Sequence, residues 1–225
     1  MGLIHIDLFT TLDGVAQAPG GPEEDTDGGF AFGGWQAPFS DDLVGEQVMA
    51  GMEGLDALLL GRRTYDIFAA YWPGQDDGID GSIARLFNAV PKYVASRGTP
   101  TLDWAHSSLL GSDIASAIAE MRERHAHVHV IGSLDFVQTL IAEGLFDQLT
   151  LWIYPLLLGT GKRVFAGGAV PSNLTLVEPA TTSQRGVVRA RPARSRLSAT
   201  GCAMIHGEPR REVAAKDDAA APPPT

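Results

Sequence analysis

Residues 140–165 read LIAEGLFDQLTLWIYPLLLGTGKRVF, and they hold the end of a helix, a strand and a glycine-rich loop in succession. Apolar residues at helical spacing predict a helix from Asp135 through Glu143, and Gly144 follows where a left-handed cap ends a helix. Leu149–Tyr154 then has the pattern of a strand. A helix that leads directly into a buried strand is typical of the βαβ units of a parallel sheet.

The same alternation of strands and helices continues upstream. Further strands are predicted at residues 3–9, 57–60, 92–95 and 128–131, and further helices at residues 40–55, 64–71 and 113–125. Segments 174–178 and 186–190 follow without an intervening helix, which favours antiparallel strands. We therefore predict an α/β fold: a mostly parallel sheet with antiparallel edge strands and helices on both faces.

The predicted domain spans residues 1–190. Within it, residues 13–39 form a long loop rich in Gly, Pro and acids, and long ordered loops of this kind are usually functional. After residue 190 the periodicity fails, and four arginines lie between residues 189 and 196. We predict that residues 191–225 are irregular to disordered and that the last edge strand is short or replaced.

Composition excludes several classes of protein. A formal net charge of −10 disfavours a general nucleic-acid binder and attachment to anionic membranes. Cys202, the one cysteine, cannot form an internal disulfide, which fits a reducing cytoplasm. The first residues carry no basic region followed by a long apolar run, and nowhere do eighteen apolar residues follow one another. We expect a soluble cytoplasmic protein that acts on a small molecule.

Three predicted strands end in residues suited to phosphate binding. They lead into Gly61-Arg62-Arg63-Thr64, Ser96-Arg97 and Gly132-Ser133-Leu134. Ligands of open α/β sheets bind beyond the carboxyl ends of the strands, where amides of helix starts and guanidinium groups can hold phosphates. Each glycine taken alone also fits a simple turn, and the arginines also fit an exposed surface pair. Together they predict a site for a phosphorylated dinucleotide.

Two familiar nucleotide motifs are missing. The sequence has no G-x-G-x-x-G fingerprint after a strand, and Gly159-Thr160-Gly161-Lys162-Arg163 lacks the spacer and the Ser or Thr of a P-loop. His125, His127 and His129 alternate along a strand, but without an evident fourth donor we expect a strand edge and no metal site.

The same segments carry a family resemblance. Residues 58–73, 92–97, 130–133 and above all 140–165 resemble the dihydrofolate-reductase-like family, which includes the reductase domain of riboflavin biosynthesis. TLDG at residues 11–14 resembles the beginning of that family, and the similarity runs from about residue 3 to residue 186. The resemblance implies a dihydrofolate-reductase-like doubly wound sheet, NADPH as hydride donor and often a homodimer.

The resemblance also implies roles for particular residues. Gly61, Arg62 and Thr64 match the segment that meets the cofactor phosphates, with Arg62 near the 2′-phosphate. The adenosine end of the cofactor is implied to lie beside Ser96 and Arg97. The family's usual Gly-Gly pair at the diphosphate is matched by Gly132, Ser133 and Leu134, with Ser in place of the second Gly. The segment that flanks nicotinamide and substrate is matched by Thr11, Asp13 and Gly14.

A proton donor is the remaining requirement of a reductase, and an acid in a half-apolar pocket can supply it. Asp42 is one candidate, because Trp35 followed by Asp42-Leu43 resembles the Trp and Asp-Leu of classical dihydrofolate reductases. Asp41 and Asp42 also fit a helix that begins after an N-cap at Ser40. Asp13 is the other candidate, although it also fits an Asx turn. Trp35 fits either a substrate-stacking role or the core.

Three functions remain open at this point. The first is an NADPH-dependent reductase of a small planar C=N, C=C or carbonyl compound, such as a pterin or pyrimidine. The second is the ribosylaminopyrimidine reductase of riboflavin biosynthesis, although no deaminase zinc signature accompanies it. The third is a nucleotide-binding protein without catalytic activity.

Overall fold

The computed structural model describes residues 1–165 and 172–194, and a ten-stranded mixed sheet forms its centre. The strands are β1 (Leu3–Thr11), β2 (Ala57–Gly61), β3 (Lys92–Ala95), β4 (Ser107–Leu109), β5 (His127–Val130), β6 (Gln148–Tyr154), β7 (Leu174–Leu176), β8 (Thr181–Thr182), β9 (Val188–Ala190) and β10 (Pro192–Arg194). Their order is β4-β3-β2-β5-β1-β6-β10-β7, and β9 pairs with both β6 and β8. The first six strands run parallel, and the strands after β6 pair antiparallel. This confirms the predicted fold class.

Helices cover both faces of the sheet. They are α1 (Asp42–Gly51), α2 (Arg62–Tyr71), α3 (Gly78–Ala89), α4 (Ile114–Arg124) and α5 (Leu134–Ala142). Apolar residues of α4 and α5 pack with Ile4, Ile6 and Leu8 of β1 on one face. Leu58 and Leu60 of β2 point to the other face and pack with residues of α2 and α3. β2 is therefore buried on both sides, which explains its uninterrupted apolar sequence.

Helix α3 and the short strands β4 and β8 were not predicted from the sequence. Helix α3 begins at Gly78 and buries Ile83, Ala84 and Phe87. Packing against the sheet outweighs the weak helix propensity of its first turn.

Capping residues explain where several helices begin and end. The predicted N-cap at Ser40 is wrong by one residue, because Asp41 caps α1 by accepting a hydrogen bond from the Val44 amide at 2.8 Å. Asp113 caps α4 as predicted. Gly144 has φ +66°, so it makes the left-handed turn expected after α5.

The sheet continues past the predicted domain boundary at residue 190. Strand β10 pairs with β6 and β7, and its Arg194 and the preceding Arg191 make contacts within the fold. The Arg191 guanidinium donates to Oε1 of Gln148 at 2.7 Å, and that of Arg194 donates to the Gly144 carbonyl. The prediction of an irregular stretch from residue 191 is therefore wrong for residues 192–194. The remainder of that prediction, residues 195–225, lies outside the described residues.

None of the helices within the described residues is both long and apolar enough to span a membrane.

Two of the alternating histidines, His127 and His129 on β5, lie at the centre of the sheet and contact His5 of β1. The ring of His5 on β1 stacks on that of His129 with 4.8 Å between centroids, and its Nε2 lies 3.1 Å from Nδ1 of His127. Nδ1 of His129 lies 2.7 Å from the Asp7 carboxylate. His5 and His129 are buried, so the expectation of a solvated strand edge is wrong. Within the described residues, no group of His, Cys, Asp and Glu side chains has the geometry of a metal site.

Burial, followed by the nearby His129, lowers the pKa of His5 to about 4. The unfolded chain protonates this residue near its ordinary pKa of 6.5, so stability is lost as the pH falls from about 6.5 towards 4. We expect the protonation of His5 to lower the free energy of unfolding by roughly 2–3 kcal/mol over that range. His5→Gln keeps a polar group beside Gln148 and cannot titrate. Urea denaturation of the native protein and of His5→Gln at pH 7 and pH 4.5 tests this role of His5. If the variant loses as much unfolding free energy between the two pH values as the native protein, the prediction is contradicted.

Candidate functional site

The carboxyl ends of the parallel strands meet at one edge of the sheet and open into a cleft of about 1610 Å³. β3, β2 and β5 are neighbours, so their ends lie side by side. Every residue predicted to bind the cofactor lines this cleft: Gly61, Arg62, Thr64, Ser96, Arg97, Gly132, Ser133 and Leu134. We call the part of the cleft lined by these residues the strand-end half.

The ends of β2 and β5 come into direct contact in the middle of the strand-end half. The Gly61 amide donates to the Gly132 carbonyl at 3.0 Å. A Cβ at residue 61 would lie 2.0 Å from the Ser133 hydroxyl and 2.8 Å from its amide nitrogen, so only glycine fits there. Gly132 has φ +136° and precedes a cis peptide bond to Ser133. Ser133, in the place of a second glycine, therefore fits because residue 61 has no side chain.

Two helices begin at this contact without a side-chain cap. Helix α2 starts after Gly61 and α5 after Ser133, and neither N-cap residue makes a side-chain hydrogen bond to its helix. By contrast, aspartates cap α1 and α4. Free amides and the positive end of the helix dipole suit an anion. The two helix starts thus suit a diphosphate, because within the described residues no side-chain cap occupies either of them.

Arg62 and Arg97 supply positive charge at the strand-end half. Nε of Arg62 lies 2.6 Å from the Asp66 carboxylate, and an Arg97 guanidinium nitrogen lies 2.8 Å from that of Asp135. All four side chains are exposed to solvent, from 41% for Arg62 to 89% for Arg97. Ion pairs this exposed contribute little, so each arginine can exchange its carboxylate for a phosphate at small cost.

The other side of the cleft is lined by residues of the loop between positions 16 and 37, by residues of helix α1 and by the side chains of Phe9, Arg63, Tyr154 and Lys162. We call it the loop half. Burial, with the nearby Asp41, raises the pKa of the Tyr154 phenol to about 12, so this hydroxyl stays protonated. Phe9 and Tyr154 pack against each other with 6.3 Å between ring centroids and give this half an aromatic wall.

Adjacent aspartates at the start of α1 play different parts. The Asp41 carboxylate accepts hydrogen bonds from the amides of Val44 and Arg185, and the former holds its pKa below the ordinary value. Asp42 is exposed, lines the cleft and, within the described residues, has no hydrogen-bond or ion-pair partner. Of this pair, Asp42 is the one free to meet a ligand.

Thr11, Asp13 and Gly14 do not line the cleft, contrary to the prediction from the family resemblance. The Thr11 hydroxyl donates to the Asp13 carboxylate at 2.5 Å, and this bond lowers the pKa of Asp13. The same carboxylate accepts the Gly159 amide at 2.8 Å, while the Gly14 carbonyl accepts the amide of Val164. These residues join the end of β1 to the 155–165 segment, and Asp13 is not placed to donate a proton to a ligand in the cleft.

Trp35 lies behind the cleft wall rather than on its surface. Its side chain is buried, its Nε1 donates to the Gln17 carbonyl at 2.8 Å, and its ring meets that of Tyr154 edge to face at 5.2 Å. Trp35 therefore supports Tyr154 from the core, which is the alternative the sequence left open.

Sequence reasoning missed Asp25, Asp27 and Lys162 of the loop half, and it named Arg63 only among the strand-end residues suited to phosphate binding. Asp25, Asp27, Arg63 and Lys162 all line the cleft and form mutual ion pairs. Lys162 belongs to the glycine-rich segment 159–163, which lacks the features of a P-loop and for that reason gave no sign of a role at the site. Asp25 and Asp27 lie in a loop without periodicity, so only the acidic composition of the loop could have indicated them.

Comparisons with known proteins identify the family. The model of the RibD C-terminal domain matches residues 3–188. The chain belongs to the RibD C-terminal domain family. This is a family of reductase domains with the dihydrofolate-reductase-like fold, so the predicted family is confirmed and an oxidoreductase role is supported.

Individual relatives agree with this family assignment. An uncharacterized protein of Bacillus subtilis, YyaP, is 27% identical over 192 residues, which cover 83% of this chain and 92% of that protein. A putative riboflavin biosynthesis protein from Shewanella sp. PV-4 shares the fold with a TM-score of 0.67 and 18% identity, over 86% of this chain and 99% of that one. A pyrimidine reductase-like protein from Corynebacterium diphtheriae gives 0.57 and 14%, over 87% and 92%.

The glycine contact in this RibD-type cleft leads to a prediction. Gly61→Ala forces a methyl group onto Ser133, so we expect a loss of about 1–3 kcal/mol in stability and weaker binding of any ligand at the strand-end half. Gly51→Ala is the control, because a Cβ at this last residue of α1 meets nothing within 4 Å. Thermal denaturation compares the two variants. Equal melting temperatures for both contradict the proposed contact.

Proposed function

We propose that this protein is an NADPH-dependent reductase that transfers a hydride to a small planar heterocycle or another C=N, C=C or C=O substrate. The observation that carries the proposal is the pair of uncapped helix starts at the Gly61–Ser133 contact, flanked by two arginines with exposed partners. Membership of a reductase family supports it independently.

In this proposal the strand-end half holds the cofactor. The starts of α2 and α5 hold the diphosphate, and Arg62 and Arg97 exchange their aspartates for the 2′-phosphate. NADPH supplies the hydride when it is bound. The protein places the nicotinamide against the substrate and limits the access of water.

The loop half takes the substrate. Phe9 and Tyr154 present apolar ring surface for a flat heterocycle, and Tyr154 carries a hydroxyl that stays protonated at neutral pH. Asp42, with its carboxyl unpaired within the described residues, is the group we propose to deliver the proton that accompanies hydride transfer.

A second candidate is the reduction of a ribosylaminopyrimidine. What favours it is the fold shared with a putative riboflavin biosynthesis protein and a pyrimidine reductase-like protein. It differs from the first candidate in requiring a site for the sugar phosphate. A protein that binds NADPH without turnover is the remaining outcome of the experiments below.

We also propose, from the family resemblance, that the protein acts in the cytoplasm and forms a homodimer. Light scattering of the purified protein tests the dimer, and a monomer mass across micromolar concentrations contradicts it.

Cofactor preference tests the strand-end half. We expect NADPH to bind at least about tenfold more tightly than NADH, because two guanidinium groups can meet the extra phosphate. Arg62→Ala and Arg97→Ala should each weaken NADPH binding and leave NADH binding nearly unchanged. Arg124→Ala is the matched control, since Arg124 forms a similar exposed ion pair with Glu120 away from the cleft. Calorimetric titration measures each affinity, and equal affinities for both cofactors in the native protein count against the proposal.

The adjacent aspartates provide a matched pair for the proton donor. We expect Asp42→Asn to lower kcat by about 10²-fold or more with an accepted substrate, while the melting temperature stays near that of the native protein. Asp41→Ala should do the reverse and lower stability by about 1 kcal/mol, because it removes the side-chain cap of α1. Stopped-flow NADPH oxidation and thermal denaturation separate the two effects. If kcat is unchanged in Asp42→Asn, Asp42 is not the donor.

A further inference from the structure

Each Arg and Lys side chain that lines the cleft within the described residues is paired with a carboxylate that also lines it. The pairs are of two kinds. Arg62 and Arg97, in the strand-end half, each have a single aspartate partner. Arg63 and Lys162, at the loop half, share two aspartates between them. The two halves of the cleft therefore offer different environments to an anion.

The loop half contains a closed network of four charges. The Asp25 carboxylate lies 2.7 Å from Nζ of Lys162 and 2.7 Å from an Arg63 guanidinium nitrogen. The Asp27 carboxylate bridges the same cations at 2.9 Å and 3.2 Å. Burial on its own would raise the pKa of Asp25, but the hydrogen bond from Lys162 and the Arg63 charge hold that pKa below the ordinary value. Both aspartates are thus ionised at neutral pH and neutralise both cations.

A buried glutamine fixes the network in place. Nε2 of Gln17 donates to the backbone carbonyls of Asp25 and Asp27, both at 3.0 Å, and its Oε1 accepts the Lys162 amide at 3.0 Å. The polar atoms of this side chain are therefore fully used, and only 3% of Gln17 is exposed. Asp25 itself has a side chain only 10% exposed. An incoming anion that takes the place of Asp25 beside Arg63 and Lys162 would have to separate a buried carboxylate from both of its cations.

The strand-end pairs lack such support. Asp66 and Asp135 have side chains that are 48% and 75% exposed, so water can solvate them once their arginines turn to a ligand. This contrast decides where an anion can bind. A phosphate can displace Asp66 or Asp135, whereas displacing Asp25 leaves a buried carboxylate without its partners, which is costly.

From this contrast we propose that the substrate is an uncharged planar heterocycle without a phosphate group. Asp41 also lines the loop half and adds negative charge that repels a phosphorylated substrate. The inference rests on the proposed reductase function and selects its first candidate over reduction of a phosphorylated ribosylaminopyrimidine. It also makes Asp25 and Asp27 specificity-determining residues, because they form ion pairs with the cationic side chains that a phosphate would need.

The first test uses the native protein with matched substrates. NADPH oxidation is measured with a panel of neutral pterins and pyrimidines, in which each pyrimidine is paired with its 5′-phosphoribosyl form. We expect kcat/KM to be at least about tenfold higher for the neutral compound of a pair. A higher kcat/KM for the phosphorylated compound overturns the inference and leaves the reductase function standing.

The second test does not depend on turnover. Inorganic phosphate is titrated calorimetrically into the native protein and into the Asp25→Asn/Asp27→Asn variant, both saturated with NADPH so that the strand-end half is occupied. Amides cannot neutralise Arg63 and Lys162, so we expect phosphate to bind at least about tenfold more tightly to the variant. Asp66→Asn is the matched control, because it frees Arg62 in the half that NADPH fills. No gain in the double variant, or an equal gain in the control, overturns the inference.

The single Asp27→Asn variant guards against misfolding of the double variant. Its side chain is 50% exposed, so the substitution should be tolerated, and we expect a smaller gain in phosphate affinity of the same sign. The outcomes separate the two proposals. If no compound of the panel oxidises NADPH, the reductase function fails, while the phosphate titrations still show whether the aspartates block an anion site.

Discussion

The contact between the ends of β2 and β5 is the constraint on which the cleft depends. These strands are neighbours, and the Gly61 amide reaches the Gly132 carbonyl at 3.0 Å. A side chain at residue 61 would collide with Ser133, so the two strand ends can approach only because residue 61 is glycine. That approach brings the starts of α2 and α5 side by side, and neither start carries a side-chain cap. The anion-binding character of the strand-end half follows from it.

The loop half depends on a different device, because residues 13–39 form no long helix or strand. Gln17 replaces backbone pairing by joining the carbonyls of Asp25 and Asp27 to the Lys162 amide. The turn at Thr11–Gly14 adds a second connection, since Asp13 accepts the Gly159 amide. Residues that the family resemblance placed at the ligand therefore hold the loop half in position. They do not line the cleft, and they stabilise the segments that do.

The parallel part of the fold could be predicted because its strands and helices each have a recognisable pattern of apolar and capping residues in the local sequence. Strands buried on both faces, such as β2, are short apolar runs, and helices such as α4 carry an apolar stripe and a capping residue. Strand-end residues 61, 96 and 132 could be placed together because parallel neighbours end at one edge. Helix α3 escaped prediction, since its first turn is a poor helix former and tertiary packing supports it.

The rest of the site could not be predicted because it rests on contacts between distant residues. Nothing local distinguishes Asp25 from the other acids of the loop, and its partner Lys162 lies 137 residues away. The same holds for β10, whose Arg194 reaches the Gly144 carbonyl across 50 residues. Arg191 and Arg194 interrupt the apolar pattern expected of a strand, yet in the fold their hydrogen bonds to Gln148 and Gly144 hold β10 in place.

The proposed cofactor carries several negative charges, and a chain with a net charge of −10 repels it at long range. The cleft resolves this conflict by the placement of its ion pairs. Exposed aspartates hold the strand-end arginines loosely, so a phosphate meets cations that are available at small cost. Asp25, which is buried, and Asp27 bridge both loop-half cations, so the negative field of the chain persists there. One cleft can in this way accept a polyanion at one end and reject an anion at the other, with the same residue types at both.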